Sequence, residues 1–389
     1  MNPLLKRLQA LRGDVAPTGP GPAPQSSLHD AAGQLGAQLR QHPEHGTHFE
    51  LRETMPPETT YGTVPLGRPH LHPLLLDERT APAPKVLYVD TETTGLSGGT
   101  GTLTFLIGAG LHGPDGFEVR QLFLPGPEHE AAQLQAFAAL ARDASAVVTY
   151  NGGSFDLPLL RNRFALQGLD DPLYGVPHLD LLPLARRLWR GTLPDCSLAT
   201  VERFVLGKRR AGTDVPGREV PARYAGWLRS RESALLMGVL EHNVNDIAAM
   251  SALRHYLEEL LEDPARGRPA EQHGLGLWLE RLGRTGEALE RLLHAARARP
   301  EAAWQASLLL KRSGRLGEAA ELWRSLGRQG MVAAWVELAK LHEHRERDYA
   351  AALEAAEAAV QANGRPDAEL NRRRERLLRR LAQAGYSAE

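Results

Sequence analysis

Between residues 85 and 150 short apolar runs alternate with polar breaks, the texture of a sheet rather than of long helices. Residues 86–89 (VLYV) form a compact apolar run that ends at Asp90, the pattern of a buried strand. Residues 102–111 and 117–124 are two further β-rich runs, and Gly113-Pro114-Asp115-Gly116 between them is turn chemistry. Residues 128–142 read as a helix, 146–150 as a strand, 155–166 as a helix, and 178–181 as a short strand leading into a helix with Arg186, Arg187 and Trp189. From 230 to 262 the spacing is helical throughout. Early strands followed by alternating strands and helices predict an α/β domain with a mixed sheet.

The flanks differ. Residues 2–12 suit a short amphipathic helix, and 13–27 are a Pro/Gly/Ser-rich flexible linker. Residues 28–84 are polar, with scattered prolines and weak periodicity, and read as an irregular N-terminal extension. From about 270 the chain is rich in Ala, Leu, Glu and Arg, and it repeats. Gly283-Arg284-Thr285-Gly286-Glu287-Ala288 recurs as Gly314-Arg315-Leu316-Gly317-Glu318-Ala319, and Ala303-Trp304 as Ala334-Trp335, both at an offset of 31. A degenerate third copy lies around residues 348–352. Short Gly-containing turns between Ala-rich helices at such a period predict an all-α helical-hairpin repeat domain over 270–389, and the pattern resembles a short tetratricopeptide-like array. A plain helical bundle is the competing reading.

Composition narrows the class. A length of 389 residues suggests two or three domains. With Lys+Arg 46 against Asp+Glu 47, the net charge of -1 excludes a histone-like cationic protein. The single cysteine, Cys196, can make no internal disulfide or Cys-rich metal site, which points to a reducing, cytoplasmic setting. No apolar run approaches the ~20 residues that span a bilayer, so no membrane association is expected.

The candidate chemistry starts at Asp90-Thr91-Glu92-Thr93-Thr94-Gly95-Leu96. Spacing of two on a strand puts Asp90 and Glu92 on one face. Like charges held together at the end of a buried strand need a compensating cation, and an all-oxygen site suits Mg²⁺ or Mn²⁺. A second segment, Tyr150-Asn151-Gly152-Gly153-Ser154-Phe155-Asp156, follows a strand and places Asp156 in the first turn of a helix, where the helix dipole favours an anion. The third lies in the long helical run. His242 and Asp246 are four apart, on a face shared with Val239, Met250 and Leu253, so that face is not wholly solvated.

Asp90-x-Glu92, Asn151-x4-Asp156 and His242-x3-Asp246, in that order, resemble the three exonuclease motifs of the DEDD superfamily. Ser97-Gly98-Gly99-Thr100-Gly101-Thr102, His178-x-Asp180-Leu181-Leu182, Cys196-Ser197-Leu198 and Asp214-Val215-Pro216-Gly217 are similar to its YprB-type branch. The resemblance covers about 85–262 and implies a ribonuclease H-like exonuclease domain over 85–265. It implies a 3′–5′ exonuclease that acts on single-stranded nucleic acid and releases nucleoside 5′-monophosphates. In that scheme Asp90, Glu92, Asp156 and Asp246 hold two divalent cations, and His242 is the general base or positions the attacking water. Thr93, Leu96, Asn151 and Phe155 line the cleft for the 3′-terminal nucleotide. One departure stands out: His242 is four residues before the final Asp, where one DEDD subclass has Tyr, rather than five, where the other has His.

Charge agrees with a polyanionic partner. Residues 186–231 hold eleven Lys/Arg against four acids, a local excess of +7, with Trp189, Tyr224 and Trp227 among them as candidates for base stacking. His70 and His72 have chelating spacing without a second ligand cluster, and the arginine-rich run 372–380 reads as a solvated helix end. DNA is slightly favoured over RNA. The alternative from another class is a catalytically silent module that binds nucleic acid or protein through the repeats; in either case the repeats offer a surface to a protein partner.

Overall fold

The computed structural model describes residues 25–69, 71–76, 85–95, 101–210 and 215–385. The expected helix at 2–12, most of the linker, His70, Leu96, residues 97–100 and Asp214 lie outside them. The chain divides into two compact units. One gathers the described residues up to Leu181 with Leu206–Arg254; the other gathers Leu182–Val205 with the described residues from His255 onward.

In the first unit α1 (Gln25–Gln34) precedes β1 (Gln38–His42) and β2 (Gly46–Met55), the short pair β3 (Thr60–Tyr61) and β4 (Val64–Pro65), then β5 (Val86–Thr93), β6 (Thr104–Gly113) and β7 (Gly116–Phe123). α2 (Glu130–Ala141), β8 (Ala146–Thr149), α3 (Asp156–Leu166) and β9 (His178–Asp180) follow. α4 (Leu181–Trp189), from Leu182 on, and the single turn α5 (Leu198–Val201) fall in the second unit, and the first resumes with α6 (Val220–Ser230) and α7 (Ala234–Glu262), whose last turns from His255 count with the second.

Seven strands make one mixed sheet in the order β1-β2-β7-β6-β5-β8-β9. β1, β2, β7, β6 and β5 pair antiparallel, and β5-β8 and β8-β9 are parallel. The expected mixed sheet followed by a helical region is present. One expectation needs correction: 28–84 is not simply an irregular extension, because it supplies α1 and the two outer strands β1 and β2. The alternation in β2 is masked by buried polar residues, His48 and Glu50, at 3% and 8% exposure.

Alternation along the strands feeds two apolar layers. Leu87, Val89, Ile107 and Leu122 pack with Phe137 of α2 and Phe164 of α3. Phe49, Phe105 and Phe123 pack with Tyr224 and Trp227 of α6 and Leu236 and Val239 of α7. The Phe105 and Tyr224 rings stack with centroids 4.2 Å apart. Tyr224, Trp227 and Trp189 are therefore core residues, not base-stacking platforms. Burying such a ring is worth roughly 1.5–3 kcal/mol, more than an exposed position returns.

β6 is thinned for α7. A Cβ on Gly108 would collide with the Asn243 carboxamide, and one on Gly110 would sit 2.5 Å from Ile247 Cγ2. Tyr88, on the same sheet face as Asp90, accepts a 2.5 Å hydrogen bond from the buried Arg254 Nε.

The second unit carries α8 (Pro269–Arg281), α9 (Thr285–Ala296), α10 (Pro300–Arg312), α11 (Leu316–Arg328), α12 (Val332–Leu341), α13 (Tyr349–Asn363) and α14 (Ala368–Gly385). Two buried carboxylates tie it together. Glu271 accepts from Trp189 Nε1 at 2.8 Å and pairs with Arg268 at 2.7 Å, and Glu343 pairs with Arg376 at 2.8 Å. Part of the C-terminal arginine run is thus engaged with Glu343 rather than left to solvent. Among the described residues no helix is long and apolar enough to cross a membrane.

Candidate active site

β5 leaves the core at Asp90. Residues Val86–Val89 are buried, and Asp90 to Thr93 are half-buried. Asp90 stands opposite Gly108, which stands opposite Gln121, so one line crosses three strands. The gap left by Gly108 holds the Asn243 carboxamide. Gln121 Nε2 donates to Asn243 Oδ1 at 2.9 Å, and Asn243 Nδ2 donates to Asp90 Oδ2 at 2.7 Å. Gln121 Nε2 also donates to the Leu240 carbonyl at 2.8 Å, which fixes its flip and hence that of Asn243. Both amides are buried. Sequence reasoning missed them; the only signal was a polar residue inside each of two apolar runs.

Asp156 opens α3 as expected. Its Oδ1 accepts from Thr91 N at 3.1 Å and Thr91 Oγ1 at 2.5 Å, so β5 itself holds the acid at the helix start. The preceding loop is pinned by another acid. Asp180 Oδ1 accepts from Asn151 N at 2.7 Å and Oδ2 from Gly153 N at 3.2 Å, with Asn151 in the left-handed region at φ 67°. A Cβ on Gly153 would meet Asp180 Oδ2 and His178 Cε1, both at 3.2 Å.

His242 and Asp246 lie on α7 with His242 Nε2 3.4 Å from Asp246 Oδ2. Arg210 joins both: its guanidinium donates to His242 Nδ1 at 2.9 Å and to Asp246 Oδ1. Arginine can only donate, so Nδ1 is bare and the ring proton sits on Nε2, toward Asp246. Sequence reading counted Arg210 only in the basic excess.

The acids feel one another. The Asp90 carboxyl is raised well above the usual carboxylate range, first by burial, then by Asp246, Asp156 and Glu92, with the Asn243 hydrogen bond opposing. Asp156 is also raised, first by burial, against its bonds from Thr91 and with the charge of Asp180 adding to the rise. A site of mutually repelling oxygen donors fits hard divalent cations in its chemistry. Its geometry is not a closed cage: Asp156 is turned onto Thr91 and Asp246 onto Arg210. Among the described residues no three His, Cys, Asp or Glu side chains form a group that could hold a metal ion. The Arg210 guanidinium is a cation that already partners Asp246.

Of the other candidates, Thr93 Oγ1 donates to the Gly95 carbonyl at 2.8 Å. Phe155, just before α3, is 58% exposed. Leu96 lies outside the described residues. His72 caps a helical turn, its Nδ1 accepting from Leu74 N at 3.2 Å.

Comparison with known proteins agrees with this picture at the level of the domain. Residues 87–258 match the RNase_H_2 family model, described as RNase_H superfamily. The matched part of the chain is thus RNase H-like in fold, the fold of a superfamily of nucleases. The chain is 37% identical over 212 residues to the uncharacterized protein YprB of Bacillus subtilis (strain 168). That match takes in 53% of this chain and 50% of the relative, so it spans about half the relative's length. Among solved structures, the family B DNA polymerase from the hyperthermophilic archaeon Pyrobaculum calidifontis covers 61% of this chain and 30% of its own at 18% identity and a TM-score of 0.37.

Proposed function

We propose that the RNase H-like unit is a divalent-metal-dependent 3′–5′ exonuclease. It hydrolyses phosphodiester bonds at single-stranded ends, DNA ahead of RNA, and releases nucleoside 5′-monophosphates. The observation that carries this reading is that acids from three separate segments act on one carboxyl: Glu92 of β5, Asp156 of α3 and Asp246 of α7 all raise Asp90. A binding module has no use for that electrostatic penalty.

Asp90, Glu92, Asp156 and Asp246 would hold two ions, Mg²⁺ or Mn²⁺. Bound there, such ions supply charge neutralisation at the attacking and leaving oxygens of an in-line displacement. The chain's own residues do the rest. Asn243 orients Asp90, and Thr91 orients Asp156. His242 Nδ1, the bare nitrogen, takes the proton of the attacking water as Arg210 moves from it to a substrate phosphate, while Nε2–H stays on Asp246. Histidine suits that task near neutral pH. Thr93, Leu96, Asn151 and Phe155 surround the terminal nucleotide, the exposed Phe155 ring offering a stacking face. The exonuclease domain spans 85–265, and 270–389 is a tetratricopeptide-like array that receives a protein partner.

The test is digestion of 5′-labelled single-stranded DNA and RNA with Mg²⁺, Mn²⁺ or EDTA, beside Asp90→Ala. A ladder shortening from the 3′ end, lost with EDTA and in the variant, is the expected result. Binding without cleavage of either polymer would move the weight to the silent module.

A further inference from the structure

A second cleft, of about 580 Å³, opens between the outer strands β1, β2 and β7 and helix α2. None of the segments that carry the four acids lines it. Leu122, Ala136 and Leu140 give it an apolar wall. Its polar side is unusual. Three arginines gather on one buried carboxylate: Arg40 and Arg52 each approach Glu50 to 2.8 Å, and Arg120 to 3.8 Å. Arg120 is paired more closely with Glu118, so three guanidiniums face two carboxylates and leave one positive charge in excess. Arg40 also donates to Gln38 Oε1 at 2.6 Å, and Arg40 and Arg52 each keep 42% of their side-chain surface exposed.

Beside them stands His48, only 3% exposed, whose Nδ1 has no hydrogen-bond partner among the described residues. An unpaired buried ring nitrogen costs on the order of 1–3 kcal/mol, which a ligand's polar atom would recover. The half-buried His42 ring lies 5.2 Å from that of His48, tilted by 40°, so His42 is the imidazole that this wall exposes. Guanidinium forks recognise phosphate oxygens, and an apolar wall with imidazole faces accepts a planar base.

We propose that this cleft binds a nucleotide: a phosphate group against Arg40, Arg52 and Arg120, and the base between His42 and the α2 wall. The ligand is either a free nucleotide or one unit of a nucleic-acid strand; both present the same chemistry. The proposal does not rest on the exonuclease reading.

The test is calorimetric titration of the full-length protein in EDTA, with adenosine 5′-monophosphate and with a short oligodeoxyadenylate as probes. Two variants alter the cleft: Arg52→Gln removes one fork, and Ala139→Trp, at an exposed position on the α2 wall, narrows the cleft without changing charge. Asp90→Ala is the control at the other site. The expected result is binding weakened about tenfold or more by either cleft variant and unchanged by Asp90→Ala. Binding of the mononucleotide identifies a free nucleotide as sufficient; binding of the oligonucleotide alone identifies the strand. The proposal is overturned if neither probe binds, if binding survives both cleft variants, or if it is lost in Asp90→Ala.

Discussion

Asp90 is held by residues whose role depends on strand register. Asn243 donates a hydrogen bond to Asp90 and accepts one from Gln121, so replacing it takes a hydrogen bond from each. Asn243→Ala should lower stability by about 1–3 kcal/mol and, if Asp90 is a ligand of the proposed nuclease, its rate roughly 10–100-fold, the usual loss when a ligand's orienting partner is removed. Urea unfolding and initial rates separate the two effects; a stability loss at full rate would reduce Asn243 to a packing residue. Asp90, Glu92, Asp156, His242 and Asp246 stood out in the sequence because their spacings follow the periods of strand and helix. Asn243 and Gln121 did not, because their meeting depends on Asp90, Gly108 and Gln121 lying opposite one another across three strands. Arg210 was hidden for the same reason: it lies 32 residues before His242 in the chain.

At the scale of elements, the close approach of α7 to β6 carries the site. Gly108→Ala would drive a methyl group into Asn243. The expected loss is about 1–3 kcal/mol, together with a lower rate of the proposed nuclease. Gly286→Ala is the matched control: it lies in α9 with nothing within 4 Å of the added Cβ, and should gain roughly 0.5–1 kcal/mol from helix propensity. Equal effects at the two positions in thermal melts would refute the packing argument. β2 makes a different prediction. Burial lowers the His48 pKa to about 4, with His42 and Arg40 adding to the fall and Glu50 opposing it. Below about pH 6.5 the unfolded chain takes up a proton that the folded one refuses until about pH 4. This contribution is therefore complete above pH 6.5 and is lost as pH falls toward 4, by up to about 3 kcal/mol. His48→Phe should flatten the stability profile over that window. The buried polar side chains behind this pH dependence are also what made β2 hard to read. Buried His48 and Glu50 keep β2 from showing the kind of apolar run that revealed β5, β6 and β7.

At the scale of the whole chain, the 31-residue repetition is kept in backbone as well as in sequence. Gly283 and Gly314 both take φ 77°, and Arg284 and Arg315 follow at φ -80° ψ 61° and φ -82° ψ 59°. Each arginine pairs with a glutamate three residues on, at 2.5 and 2.6 Å. The degenerate copy turns differently. Arg347, not glycine, holds the left-handed position at φ 58°, and Asp348 caps α13 by accepting from Ala351 N at 2.9 Å. The sequence showed this copy only in degenerate form, since a cap of another kind replaces the Gly-Arg signature. The energetics follow from the backbone alone, because a Cβ at Gly283 or Gly314 meets nothing within 4 Å. Gly283→Ala and Gly314→Ala should each cost about 1 kcal/mol, purely from the left-handed φ. The double variant should cost the sum to within roughly 0.5 kcal/mol, since repeat arrays interact mainly between neighbours and distant sites add. Arg347→Gly should act with the opposite sign and stabilise, because it removes a side chain from a conformation that disfavours one. Chemical denaturation of the four variants decides the matter. Unequal costs at the two glycines would mean that the turns are alike in sequence only, and a destabilising Arg347→Gly would mean that the third turn is held by the arginine side chain rather than by its backbone.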